Sequence, residues 1–241
     1  MSVALITGAN RGIGRAVAAE LAARGMTVIV GARDEDAGAR AARQIGHDAS
    51  HVRLDVTDEA SVRTAAVKVG CEHGRLDVLV NNAGVLPEAT NDRAAEIVDL
   101  AMFRETFGTN LLGPVAVLEA FLPLLRKSAQ GRIVNVSTTM GSLTDQTNPD
   151  SPYYGVVAPA YQSSKAALNN VTIALAKQLA GTAIKVTSVC PGFVQTDLTP
   201  ANREQAPITA EQAAMVVVEA ATLPPDAPSG TFIDASGTVA W

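Results

Sequence analysis

Short apolar runs alternate along the chain with stretches whose apolar residues recur every three or four positions. Val3 to Ile6, Thr27 to Val30, His51 to Leu54, Val78 to Asn81, Arg132 to Val136, Ile184 to Val189 and Thr231 to Ile233 are too short for stable helices. Most are rich in β-branched residues, so they predict buried strands. Between them the helical period predicts helices from Ile13 to a stop at Gly25, and over Ala37 to Ile45, Glu59 to Glu72, Ala94 to Phe107, Leu111 to Leu125, Ala160 to Leu179 and Ala210 to Leu223. Strand, helix and strand in repeated succession make βαβ units, which require parallel pairing and right-handed crossovers. The pattern therefore predicts an α/β fold with one mostly parallel, seven-stranded, doubly wound sheet and helices on both faces. No linker, repeat or low-complexity tract divides it, so residues 1–241 are expected to be a single domain.

Composition narrows the function classes. Hydrophobic residues make up 47% of the 241 positions and charged residues 18%, the profile of a globular chain with a well-supplied core. A net charge of −5 with scattered arginines offers no basic field for nucleic acid. Cys71 and Cys190 match no metal-ligand spacing and read as two reduced thiols, which fits a cytoplasmic protein. No signal peptide is expected at the N-terminus, and no membrane span, because each apolar run is interrupted short of about 18 residues. The segment Thr138 to Pro159, with Pro149, Pro152, Pro159, Gly141 and Gly155, reads as a long loop, and such loops are more often functional than idle.

Two motifs carry chemistry. The first is the turn Gly8-Ala9-Asn10-Arg11-Gly12-Ile13-Gly14, placed after the first strand and at the start of a helix. Its glycines let the backbone approach a pyrophosphate, and the helix N-terminus offers unpaired N–H groups to it. That placement marks a Rossmann-type dinucleotide site. The second is Tyr161-Gln162-Ser163-Ser164-Lys165, where helical spacing puts the phenol and the ammonium on one face. A fixed positive charge nearby would lower the phenol's pKa and make it a proton-transfer group.

The glycine spacing Gly-x-x-x-Gly-x-Gly resembles that of the short-chain dehydrogenase/reductase family. Asn81-Asn82-Ala83-Gly84, Asn110, Tyr161 with Lys165, and Pro191-Gly192 followed by Thr196 continue the resemblance in the family's order over nearly the whole chain. What the resemblance implies is a nicotinamide cofactor held by Gly8, Asn10, Arg11, Gly12, Ile13 and Gly14, by Asp55 and Val56 near the adenine, by Asn82, Ala83 and Gly84 at the cleft floor, and by Pro191, Gly192, Val194 and Thr196. Asp55 in Asp55-Val56-Thr57-Asp58 reads nearly as well as a turn cap. At the end of the second strand, Arg33 with Arg11 suits a 2′-phosphate, so NADPH is expected over NADH. Asp34, which an NAD-binding reading would use, falls one step late, in the capping turn of the next helix.

The resemblance also implies a catalytic set. Tyr161 would be the acid in reduction, Lys165 would lower its pKa and hold the nicotinamide ribose, and Asn110 would position a water. The family's serine position falls at Thr138, a departure that keeps the hydroxyl and adds a methyl group; Ser137 and Ser142 are alternatives. Carbonyl reductases with an enlarged loop before the tyrosine look similar, and Leu143, Tyr153, Tyr154, Phe193 and Val194 are candidate substrate walls. Asp197 to Pro207 reads as a polar, mobile lid. These readings lead to an NADPH-dependent reductase of a small carbonyl substrate, with an NAD-linked alcohol dehydrogenase or a non-catalytic dinucleotide sensor as alternatives. No metal, nucleic-acid or membrane partner is expected, and monomer or homo-oligomer stays undecided.

Overall fold

The computed structural model describes residues 1–89 and 98–241. Each apolar run forms a strand: β1 Val3–Thr7, β2 Thr27–Ala32, β3 Ser50–Arg53, β4 Val78–Asn81, β5 Arg132–Val136, β6 Lys185–Val189 and β7 Thr231–Asp234. These pair in parallel in the order β3-β2-β1-β4-β5-β6-β7, and an eighth strand, β8 (Gly237–Thr238), adds antiparallel to the β7 edge. The sheet thus has eight strands where seven were expected. Gly237 and Thr238 are both exposed, and so short an exposed arm carries no apolar pattern to read.

The helices are α1 Gly12–Ala23, α2 Glu35–Ile45, α3 Glu59–His73, α4 Leu100–Phe107, α5 Gly113–Leu125, α6 Leu143–Thr147, α7 Pro159–Gln178, α8 Pro200–Gln205 and α9 Ala210–Ala221. The start expected at Ala94 lies outside the described residues. Within them α4 begins at Leu100, because the Asp99 carboxylate accepts from the N–H groups of Ala101 and Met102. A π-helical turn at Gly108–Leu112 joins α4 to α5. Two short helices, α6 and α8, interrupt segments whose sequence reads as loop; each is started by a hydroxyl cap, Ser142 and Thr199 respectively.

Side chains alternate across the sheet, so successive strand residues feed two cores. Ile6, Val30, Val80 and Val134 pack with Val17, Leu21 and Val217 of α1 and α9. Leu5, Ile29, Leu79 and Ile133 pack on the other face with Val62, Phe121 and Ala176 of α3, α5 and α7. Both faces of the sheet are covered, as parallel strands require. By length and composition the helical run Leu100–Leu125 is also apolar enough to cross a membrane, which the sequence reading did not anticipate. Here its apolar side, with Val117, Phe121 and Leu125 fully buried, is a core face.

Strand order reverses between β1 and β4, and that switch opens a crevice beyond the strands' C-terminal ends. Hydrogen bonds lock the two ends together. The Thr7 hydroxyl oxygen accepts from the N–H groups of Asn82 and Ala83, both at 3.0 Å, and Asn82 Nδ2 donates to the Thr7 carbonyl at 2.9 Å. Across the crevice, Gly141 lets a 3-10 turn lie against α7: a Cβ there would stand 2.8 Å from Lys165 Cβ and 2.9 Å from its backbone carbon. Gly141→Ala should therefore push α7 outward at Lys165 and cost about 1–3 kcal/mol in urea unfolding. An unchanged midpoint would contradict this packing.

Candidate active site

The loops that follow β1, β2, β4, β5 and β6 enclose a cleft of about 550 Å³. All the expected cofactor residues except Gly14, together with Tyr161, Lys165, Thr138 and Ser137, line it. The glycine-rich turn is built for close approach. Gly8 and Gly12 have φ of +65° and +54°, and a Cβ on Gly14 would fall 2.4 Å from Asn82 Nδ2 and 2.7 Å from the Gly8 carbonyl oxygen. Gly14 therefore shapes the turn from behind. No side chain caps α1 at Arg11, and its first turn holds no acidic residue, so its N–H groups and dipole face the cleft. These features fit a dinucleotide pyrophosphate, which this turn could hold.

Arg33 follows β2 directly, exposed at the cleft edge. Asp34 caps α2, its carboxylate accepting from the Ala37 N–H at 2.9 Å. Arg11 does not turn towards Arg33: its guanidinium pairs with Asp197 on the opposite wall at 3.5 Å, and Asp197 also pairs with Arg203. Asp55 both lines the cleft and closes a turn, its Oδ1 accepting from Thr57 Oγ1 at 2.7 Å and Thr57 N–H at 3.0 Å. The Thr57 hydroxyl bond is the main cause of its lowered carboxyl pKa, with Arg33 and Arg53 adding to it. Val56 packs under Gly113, where any Cβ would stand 2.8 Å from Val56 Cγ2.

Tyr161 and Lys165 lie one turn apart on the buried face of α7. Lys165 Nζ donates to the Val136 carbonyl oxygen at the end of β5, at 2.7 Å, and lies 5.8 Å from the Tyr161 ring centroid. Burial lowers the Lys165 pKa to about 8. The expected lowering of the Tyr161 pKa is not found in the open cleft. Burial is the larger of two causes that push the phenol above its ordinary range, and the nearby Cys190 thiol adds to it. The ammonium is turned to Val136 and does not offset the loss of hydration.

Asn110 sits in the π-helical turn, fully buried behind the cleft. Its Oδ1 accepts from the Val85 N–H and its Nδ2 donates to the Val85 carbonyl, both at 2.9 Å, with Ser164 Oγ at 3.2 Å from Nδ2. Gly84 separates Asn110 from Lys165: a Cβ on it would lie 3.4 Å from Asn110 Oδ1 and 3.7 Å from Lys165 Nζ. Thr138 stands at the rim after β5, its Oγ1 accepting from the Met140 N–H at 3.2 Å, which leaves the hydroxyl hydrogen free to donate. Ser137 also lines the cleft, deeper, and its Oγ has no hydrogen-bond partner among the described residues. Ser142 caps α6 instead.

Of the expected substrate walls only Val194 lines the cleft. Leu143, Tyr154 and Phe193 are 64%, 52% and 37% exposed, and Tyr153 is half-buried outside it. Tyr153 nevertheless stands near the site: burial raises its pKa, and the Cys190 thiol that acts on Tyr161 adds to the rise. Within Asp197 to Pro207, which the sequence marks as a lid, α8 forms and Asn202 Nδ2 holds the Val194 carbonyl at 3.0 Å. Sequence reasoning missed Thr7, whose hydroxyl brackets β1 to β4; a threonine closing an apolar strand just before a glycine-rich turn was the available signal.

Comparisons agree with this geometry. A family model described as short chain dehydrogenase matches residues 2–207. Among curated proteins, 3-oxoacyl-[acyl-carrier-protein] reductase FabG of Escherichia coli (strain K12) is 33% identical over 83% of this chain and 76% of its own. The (+)-neomenthol dehydrogenase of Arabidopsis thaliana is 32% identical over 95% of this chain and 94% of its own. Among solved structures, the NADPH-bound carbonyl reductase from chicken fatty liver superposes with a TM-score of 0.84 at 30% identity, covering 100% of both chains. Salutaridine reductase from Papaver somniferum gives 0.81 at 28% identity, over 96% of this chain and 99% of that one.

Because Lys165 loses its proton as pH rises through about 8, any step that uses the ammonium weakens above that value. The alkaline limb of kcat/KM should therefore appear near pH 8 in a buffer series. A limb that begins only near the ordinary lysine value, about pH 10, would contradict the buried setting of Lys165.

Proposed function

The chain belongs to the short-chain dehydrogenase family and is an NAD(P)-dependent oxidoreductase acting on CH–OH and C=O groups, and we propose that it is an NADPH-dependent reductase of ketones or aldehydes. The observation that carries this reading is the meeting of Tyr161, Lys165 and Thr138 on the wall of one cleft with the glycine-rich turn. A nicotinamide cofactor held in this cleft would supply the hydride for the carbonyl carbon. Tyr161 gives its proton to the carbonyl oxygen, so the product is an alcohol and the phenolate must be reprotonated. A phenol whose pKa is raised by burial rests in the protonated form, which is the form that reduction consumes. Thr138, which lines the cleft and uses its Oγ1 only as an acceptor among the described residues, orients the oxygen; Ser137, whose Oγ has no partner among those residues, is the alternative donor.

NADPH is favoured by the charge at the adenosine end. Arg33 is exposed there, and Asp34, which also lines the cleft, has its Oδ1 engaged as the α2 cap. The NADPH-bound carbonyl reductase from chicken fatty liver is a structural neighbour in line with this choice, whereas the 3-ketoacyl-(acyl-carrier-protein) reductase from Brucella melitensis was solved with NADH. The same reading puts the chain in the cytoplasm, consistent with the free thiols of Cys71 and Cys190.

Replacement of Tyr161 by Phe should lower carbonyl-dependent NADPH oxidation by about 10²–10⁴-fold while NADPH still binds, as read by cofactor fluorescence. Unchanged turnover would sink the proton-donor role. Arg33→Asp should reverse the preference between cofactors when kcat/KM is compared for NADPH and NADH, and a preference that does not move would remove Arg33 from the 2′-phosphate site.

A further inference from the structure

The first turn of α7 presents orphan N–H groups that its own flank does not satisfy. Ala158, the residue preceding the helix, makes no side-chain cap, and Pro159 has no N–H to offer. The Ala158 N–H is taken by Gln162 Oε1 at 3.0 Å, and Gln162 Nε2 in turn donates to the Val156 carbonyl at 3.1 Å. The two remaining donors, Ala160 and Tyr161, are capped from far away in sequence. Glu88, in a 3-10 turn at Pro87–Ala89 after β4, receives the Ala160 N–H on Oε1 at 2.9 Å and the Tyr161 N–H on Oε2 at 2.8 Å.

We infer that Glu88 is a positioning residue that fixes Tyr161 over the cleft through its backbone. Both carboxylate oxygens are used, one for each N–H, so the bonds define the place and the tilt of the turn that carries the phenol. The negative charge also sits at the positive end of the long helix α7.

Continuity along the β4 loop gives the contact a wider meaning. Asn82 is bonded to Thr7 and Gly8 at the cofactor turn, Val85 is held on both of its backbone groups by Asn110, and Glu88 holds Tyr161. One short segment thus keeps the glycine-rich turn, the asparagine and the tyrosine in register. Glu88 thus holds the Tyr161 turn from the β4 side, while Gln162 ties the same turn to Val156 in the exposed tip of the preceding loop.

The test uses the full chain with Glu88→Ala and Glu88→Gln, and it rests on the reading of Tyr161 as the proton donor. Glu88→Ala should lower kcat about tenfold or more with the NADPH dissociation constant nearly unchanged. Glu88→Gln, which keeps one acceptor oxygen, should recover part of the loss, and it decides the matter if the alanine variant does not fold. Phenolate absorbance, taken as the difference between each chain and its Tyr161→Phe counterpart, should show Tyr161 ionising at lower pH in Glu88→Ala, because a frayed first turn admits water to the ring. A wild-type chain that reduces no carbonyl would refute the proton-donor reading and leave this titration to decide Glu88. An unshifted phenol in both variants, or a kcat that falls only in step with cofactor affinity, overturns the role of Glu88.

Discussion

A buried ammonium must find an acceptor or give up its proton, and the site depends on how Lys165 answers that constraint. It donates to the Val136 carbonyl oxygen at 2.7 Å, at the point where β5 ends. The bond ties α7 to the sheet edge at one height. Once α7 is seated there, Tyr161 one turn earlier faces the crevice, and Gly141 gives the close approach that the seat requires. Moving Lys165 out of register would leave its charge unpaired and the phenol out of reach of the cleft.

Around that seat the fold supplies functions from separate strand ends. β1 contributes a glycine-rich turn that suits a pyrophosphate, β2 delivers Arg33 to the outer edge, and β5 delivers Ser137 and Thr138 beside Tyr161. Polar brackets between these ends are what keep them aligned, because loops alone would not hold hydroxyl, phenol and turn within bonding distance of one ligand. Thr7, Asn82, Asn110 and Glu88 are such brackets, each spending its side chain on backbone groups of a neighbouring element. The chemistry proposed for Tyr161 follows from this rigidity and from burial, which holds the phenol protonated until a carbonyl oxygen arrives.

Much of this was legible in the sequence, for a physical reason. Strands buried on both faces read as short β-branched runs, and a helix start after such a run announces a turn, so β1 to β7 and the glycine-rich turn could be placed. Local capping chemistry was legible too: Asp34 at the start of α2 follows from its type and position. What could not be read depends on partners distant in the chain or on geometry without a periodic signature. The π turn at Asn110 shifts a hydrogen bond by one residue and leaves the apolar period unchanged. The apolar residues of the loop before α7 carry no periodic signal of what they pack against, and Leu143 and Tyr154 prove largely exposed. Glu88 acts on Tyr161 from another element, so nothing adjacent to either residue reveals the pair. The direction of the Tyr161 pKa shift was missed because spacing shows that Lys165 is near, whereas burial and the Val136 bond decide what its charge does.

The central claim is that these strand ends assemble a working reductase and not only a dinucleotide site. Mixing the chain with NADPH and a panel of aldehydes and ketones, and following cofactor absorbance alongside cofactor fluorescence, tests it most directly. The account predicts NADPH oxidation that depends on, and saturates with, at least one carbonyl compound. Tight NADPH binding without oxidation across the whole panel would contradict it and identify the chain as a protein that binds the cofactor without using it.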